Sequence, residues 1–203
     1  MTDIMVQHAY ATRAAEYTAL LGTTDAAHEE DQRLIAGWGK SLRGPAIDAG
    51  CGPGHWTALL ANHGADVEGI DLVPLFIDKA RSRFPATRFR MATLRALGVP
   101  DGRLAGILAW YSLIHLSPAA LPLVLREFAR CVKPEGSILL GFFEGPAGEP
   151  FPHAVTTAYY WSVGAMSQHL LATGFKVQEV HVRTEPECRP HVAIIAVRTT
   201  PEG

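Results

Sequence analysis

The sequence predicts an α/β fold of three layers, in which helices flank a mostly parallel sheet of seven strands that ends in an antiparallel hairpin. Three observations predict it. Short apolar strands alternate with helical stretches between residues 45 and 173, the pattern of right-handed βαβ units. A turn with three glycines, Gly50, Gly52 and Gly54, follows the first strand and leads into a helix. The last two strands are joined only by residues 184–190. A parallel crossover takes a dozen residues or more, so that pair must be antiparallel.

The elements follow in order. Residues 8–21 and 28–42 read as two helices, because Ala9, Ala14, Tyr17, Leu20 and Leu21 recur at helical spacing, as do Leu34, Ile35, Trp38 and Leu42. They form an N-terminal helical cap over 1–43, ahead of a main domain over 44–203. The first strand is 45–49, followed by a helix with Trp56, Leu59, Leu60 and His63 on one face. Residues 65–70 make the second strand, and Leu75, Ile77, Ala80 and Phe84 mark a helix that Pro85 ends. Strands follow at 88–91, 104–110 and 137–143. Between the last two, Leu121, Val124, Leu125, Phe128 and Val132 form a helical stripe. Ser117 and Pro118 are the residue types of an N-cap and a first helical position. Pro122 cannot donate in that turn, which leaves the start open. A helix over 163–173 closes at Gly174. Phe175 and Val177 then alternate out of phase with Val180 and Val182, which places a bulge near Gln178 and Glu179. The last strand is 192–197.

Composition narrows the function. The chain has 203 residues, 48% apolar and 19% charged, enough to bury a core without disulfides or a structural metal. A net charge of −2 argues against a nucleic-acid binder, which would carry an excess of Lys and Arg. No apolar run approaches the ~20 residues a bilayer needs, and no signal peptide is visible. Cys51, Cys131 and Cys188 are odd in number and widely spaced, so a disulfide framework or zinc site is not expected and a reducing cytoplasm is. The histidines lack HxxxH or HxH spacing, so no metal site is expected.

A strand, a glycine turn and a helix make the first unit of a nucleotide-binding sheet. Glycines let a ligand approach the backbone, and the helix beyond offers free N–H groups. A dinucleotide fingerprint would place its third glycine at position 55, which is His55. That spacing disfavours a pyrophosphate and leaves it open. Asp71 ends the second strand, where a carboxylate accepts two hydrogen bonds from a ribose diol.

The run Ala46-Ile47-Asp48-Ala49-Gly50-Cys51-Gly52-Pro53-Gly54 resembles motif I of the class I S-adenosylmethionine-dependent methyltransferases. The similarity continues through Gly69-Ile70-Asp71, 97–102, 108–116 and 126–136, and covers about 40–198. The branch it resembles is the small-molecule enzymes similar to those of ubiquinone and menaquinone synthesis. The resemblance implies a Rossmann-like fold with S-adenosylmethionine as cofactor and S-adenosylhomocysteine as product. It implies methyl transfer to a small organic acceptor by direct in-line displacement. It sets Gly50, Gly52 and Gly54 against the methionine part, Asp71 on the ribose, Leu72 beside the adenine, and Thr93 and Leu94 around it. Ala109 and Trp110 would line the cofactor near its methyl group. Asp48 orders the loop or reaches the cofactor's ammonium, and Tyr17 resembles an N-terminal tyrosine that covers the cofactor carboxylate. The family often has an acid at Thr93, a stronger acceptor than a hydroxyl, and usually a glycine at Glu135.

His115 falls in the loop after the fourth strand, the edge where ligands enter such sheets. It reads either as a general base or substrate contact or as a packing and capping residue. Tyr111, Tyr160 and Trp161 are candidate substrate walls, the last two belonging to a substrate-side insert over 144–161. The alternative for that pair is a hydrophobic lid. Ala109 cannot serve a magnesium site, and residues 109–112 lack the motif of nucleobase-amine methylation. Two rival functions stay open: a cofactor-binding protein without turnover, and a nicotinamide-dependent oxidoreductase.

Overall fold

The structure, a computed structural model, describes residue 10, residues 27–186 and residues 188–200. Tyr17 and most of the helix expected over 8–21 lie outside the described residues.

Helix α1 (Glu29–Ser41) is N-capped by the His28 side chain and precedes β1 (Ala46–Ala49). Then come α2 (His55–Asn62), β2 (Val67–Asp71), α3 (Pro74–Arg83), β3 (Arg88–Met91) and β4 (Leu104–Trp110). Helix α4 (Leu121–Cys131) leads directly into β5 (Val132–Phe143). A short hairpin, β6 (Pro150–Pro152) with β7 (Thr157–Tyr159), precedes α5 (Val163–Ala172), β8 (Phe175–Arg183) and β9 (His191–Arg198).

The seven-stranded sheet has the order β3-β2-β1-β4-β5-β9-β8. β1 to β5 pair in parallel, while β9 pairs antiparallel with both neighbours, β5 and β8. This is the α/β, Rossmann-like arrangement that the sequence predicts. The order reverses between β1 and β4, which makes that gap the switch point. Both faces are covered, so the central strands are buried and mostly apolar. Ile107 packs with α4, including Leu125 and Phe128, while Leu108 packs with Trp38, Trp56 and Leu60 from the other layer.

Three details differ from the sequence reading. Helix α4 begins at Leu121 with Ala120 as its N-cap, not at Ser117 and Pro118. The Ser117 carbonyl accepts from the N–H groups of Ala120 (2.8 Å) and Leu121 (3.2 Å). That closes a separate turn, and Pro122 falls in the helix's first turn, where a missing N–H costs nothing. β5 starts at Val132, with a register shift against β4 that absorbs residues 133–136. Glu135 takes φ 63° there, the left-handed region that glycine adopts freely. The β6–β7 hairpin was masked in sequence by Pro150 and Pro152, which suit only a strand with an open edge. It docks through Tyr159 N–H to the Ile114 carbonyl (2.8 Å) and Trp161 N–H to the Phe143 carbonyl (3.1 Å). The bulge in β8 lies between Val177 and Glu179, where the sequence places it. No helix among the described residues is long and apolar enough to cross a membrane.

Candidate active site

The turn after β1 is shaped by its glycines for two different reasons. Gly50, Gly52 and Gly54 have φ of 81°, 53° and 89°, so all three sit in the left-handed region. A Cβ on Gly50 would overlap the Ser112 Cβ, across the cavity floor. A Cβ on Gly54 would fall 2.8 Å from the Phe89 ring and 2.9 Å from the Ala80 Cβ. Gly54 therefore serves packing against α3 and β3, and only Gly50 and Gly52 line the cavity. Asp71 staples the turn. One carboxylate oxygen accepts from Gly52 N–H and the other from Val73 N–H, both at 2.9 Å. Burial raises the Asp71 pKa and those backbone donors oppose the rise.

Asp71 forms the polar end of a pocket whose apolar wall is Leu72, Val73, Phe76, Ala92 and Leu94. Ser112 lines the same space, and its Oγ is buried without a partner in the described structure. Thr93 points elsewhere: its Oγ1 accepts from Arg95 N–H at 3.0 Å and closes a turn. Ala109 is fully buried in the core behind the pocket.

Asp48 does not reach the pocket either. It is 1% exposed and accepts from the Thr57 hydroxyl at 2.6 Å. Burial pushes its pKa up from 3.8 to about 7, with nearby Asp71 adding to the rise. The folded protein thus holds a proton that the unfolded chain releases at a pH about three units lower. Stability should fall as pH rises from about 4 to 7, by on the order of 4 kcal/mol, and then level off. Asp48→Asn should remove most of that slope. Urea unfolding at pH 5 and 8 checks it; a variant that tracks the wild type at both pH values would sink it.

His115 is 5% exposed, and burial lowers its pKa. Its Nδ1–H donates to the Thr157 carbonyl at 2.9 Å, in β7. That leaves Nε2 to accept the Tyr10 hydroxyl at 2.7 Å. The ring thereby ties the insert hairpin to the N-terminal segment. Tyr10 also lines the pocket and sits edge-on to Phe76, with ring centroids 5.8 Å apart.

Past Gly50, Gly52, Trp110 and Tyr111 the pocket continues into a second chamber. Tyr111 follows β4 with φ 55°, strained for a non-glycine residue, and its hydroxyl bonds to His191 Nδ1. Trp56, Trp110, Tyr111 and Phe143 make a ladder of rings with successive centroids 6.0, 5.5 and 4.9 Å apart. His153, from the insert, lines this chamber beside the His115 ring, and burial lowers its pKa to about 4. His55 lines it as well, with its pKa also lowered by burial to about 4. The expected walls Tyr160 and Trp161 stand outside both chambers. Tyr160 stacks on Phe151 at 4.2 Å and accepts from Arg189 Nε. Trp161 is 3% exposed in the core.

The structure therefore gathers Gly50, Gly52, Asp71, Leu72, Leu94, Trp110, Tyr111 and His115 around one space, and leaves out Asp48, Gly54, Thr93, Ala109, Tyr160 and Trp161. Sequence reasoning missed Tyr10, Ser112, Asp31, His153, Arg183 and His191. Asp31 and Arg183 had no signal, being paired across the fold from α1 to β8.

A methyltransferase-domain family profile matches residues 46–136. The malonyl-[acyl-carrier protein] O-methyltransferase of Serratia marcescens is 30% identical over 131 residues, 62% of this chain and 50% of that protein. The chain spans about half the length of the curated relatives it matches. Among solved structures, the magnesium protoporphyrin IX methyltransferase of Synechocystis PCC 6803 with bound S-adenosylhomocysteine superposes with a TM-score of 0.80 at 18% identity. That match covers 98% of this chain and all of the other. The [4+2]-cyclase SpnF superposes equally well, with a TM-score of 0.80 at 14% identity, covering 96% of this chain and 95% of its own. These structural likenesses concern the fold alone. Residues 46–136 are thus similar to a methyltransferase domain, and the sheet that holds them shares its fold with these solved structures.

Proposed function

We propose that the protein transfers a methyl group from S-adenosylmethionine to a small organic acceptor. The observation that carries this is the pair of joined chambers at the β1/β4 switch point, one with a buried carboxylate at its end and the other lined by aromatic rings. Asp71 would take the ribose diol, with Leu72, Val73, Phe76 and Leu94 enclosing the adenine. Gly50 and Gly52 would admit the methionine part, and the partnerless Ser112 Oγ offers it a hydrogen bond. Trp110 and Tyr111, where the chambers meet, would border the reacting methyl. When bound, this cofactor supplies a methyl group on a cationic sulfur, which leaves as a neutral thioether when the acceptor attacks. The protein's task is to align the acceptor and exclude water, which is worth up to ~7–11 kcal/mol of barrier. His115 has both ring nitrogens engaged, so it positions Tyr10 and the hairpin rather than taking a proton. The third-glycine position at His55 supports this cofactor over a nicotinamide dinucleotide.

Residue motifs support the ubiquinone- and menaquinone-type branch within this reading. The three free cysteines support a cytoplasmic location.

The test is thermal unfolding with S-adenosylhomocysteine or NAD. A ligand at 100 times its Kd adds about 2.7 kcal/mol, which for a chain of this size raises Tm by ~5–10 °C. S-adenosylhomocysteine should do so and NAD should not; the reverse would overturn the proposal.

A further inference from the structure

The second chamber carries a charge arrangement that the transfer reading does not use. Asp31, on α1, grips Arg183, at the end of β8, with two hydrogen bonds of 2.6 and 3.1 Å. A second carboxylate, Glu185, lies 3.0 Å from Arg183 Nε. Among the described residues, Arg183 is the only Lys or Arg that lines the chamber. In the wall Asp31 offsets the charge of Arg183, with Glu185 beyond the lining as a second carboxylate partner, so no unpaired cation is left where an isolated arginine would make an anion site. The remaining walls include aromatic rings, the imidazoles of His55, His153 and His191, and His28, whose Nε2 lies 3.8 Å from Glu185 Oε1. Burial lowers the pKa of His55, His153 and His191, which disfavours their charged forms.

We infer that the Asp31–Arg183 pair sets the charge of the acceptor: the chamber takes an uncharged aromatic molecule and turns carboxylates away, with Asp31 as the residue that decides. A carboxylate entering here would lose its hydration without gaining an unpaired cation, and would meet the field of Asp31 and Glu185. A flat uncharged ring loses little and gains edge and face contacts with Trp110, Tyr111 and Phe143. This inference rests on the two-chamber reading above. It differs from what the name of the Serratia relative says of its own acceptor, a malonyl-[acyl-carrier protein].

The experiment measures binding rather than turnover. 2-Naphthol and 2-naphthoate, matched in shape and differing in charge, are titrated by calorimetry into the protein saturated with S-adenosylhomocysteine. Saturation itself tests the cofactor reading, so a protein that binds S-adenosylhomocysteine but prefers the acid would overturn this inference alone. The wild type should bind the naphthol at least ten times more tightly than the naphthoate. Asp31→Asn keeps the shape and removes one of the two negative charges, and should strengthen naphthoate binding about tenfold. Adding Arg183→Gln to that variant should abolish the gain. Equal or tighter naphthoate binding by the wild type, or no binding of either probe at millimolar concentration, overturns the inference. An Asp31→Asn variant that folds and keeps the wild-type preference overturns it too. If Asp31→Asn fails to bind S-adenosylhomocysteine, the wild-type ratio alone decides.

Discussion

Gly50→Ala should both destabilise the protein and close its cofactor chamber. The residue has φ 81°, where a side chain costs ~1–2 kcal/mol. The new methyl would also overlap the Ser112 Cβ. Relieving that overlap means moving β1's turn or the start of the 111–117 loop, and overpacking of this kind costs about 1–3 kcal/mol. Together these predict a loss of roughly 2–5 kcal/mol, or a fall in Tm of about 5–15 °C. The same displacement shifts Gly50 and Ser112, which both line the chamber, so S-adenosylhomocysteine affinity should drop at least tenfold in whatever fraction stays folded. Calorimetric melting and titration at a temperature below the transition read the two effects separately. Gly37→Ala is the control. Nothing lies within 4 Å of a Cβ placed at Gly37, inside α1, so that change should be neutral or gain up to ~1 kcal/mol from helix propensity. A Gly50→Ala protein that melts and binds like the wild type would mean that the turn and the loop give way freely.

The sheet could be read from the sequence because each of its determinants is local. An apolar run specifies a strand, a stripe at helical spacing specifies a helix, and a seven-residue connection forces the β8–β9 pair antiparallel. The first chamber was legible for a related reason. Gly50, Gly52 and Asp71 mark strand ends, and in a parallel sheet the strand ends converge on one edge. What stayed hidden depends on contacts between distant segments. Arg183 meets Asp31 across 152 positions, and Tyr111 meets His191 across 80. No period or motif encodes either. For Tyr160 and Trp161 the sequence leaves a wall and a packed hydrophobic lid open, because aromatic rings are equally good core filler, and Phe151 and the buried layer under α5 claim them. Thr93 illustrates a third limit. A hydroxyl next to a turn bonds its own backbone more readily than a ligand, and here it caps Arg95 N–H.

Asp71→Ala should have the largest effect on cofactor affinity, because in the function proposed above the carboxylate has two duties at once. Its oxygens already accept from Gly52 and Val73 N–H, each at 2.9 Å, and each oxygen keeps a second lone pair for a ribose hydroxyl. Hydrogen bonds to a charged group are worth about 1.5–3 kcal/mol each. Removing the carboxylate strips the diol of its acceptors and releases the Gly52 turn, so binding should weaken by roughly 2–4 kcal/mol, about 30- to 1000-fold in Kd. The two duties separate experimentally. If Asp71 only staples the turn, the variant melts lower, but whatever affinity remains shows the same preference for a ribose over a deoxyribose as the wild type. If it also holds the diol, the wild type should bind adenosine at least ten times more tightly than 2′-deoxyadenosine, and Asp71→Ala should bind both alike. This coupling between one side chain and one hydroxyl isolates the contact from the general damage of the mutation. A wild type indifferent to the 2′-hydroxyl would remove Asp71 from the ribose and leave it a structural staple.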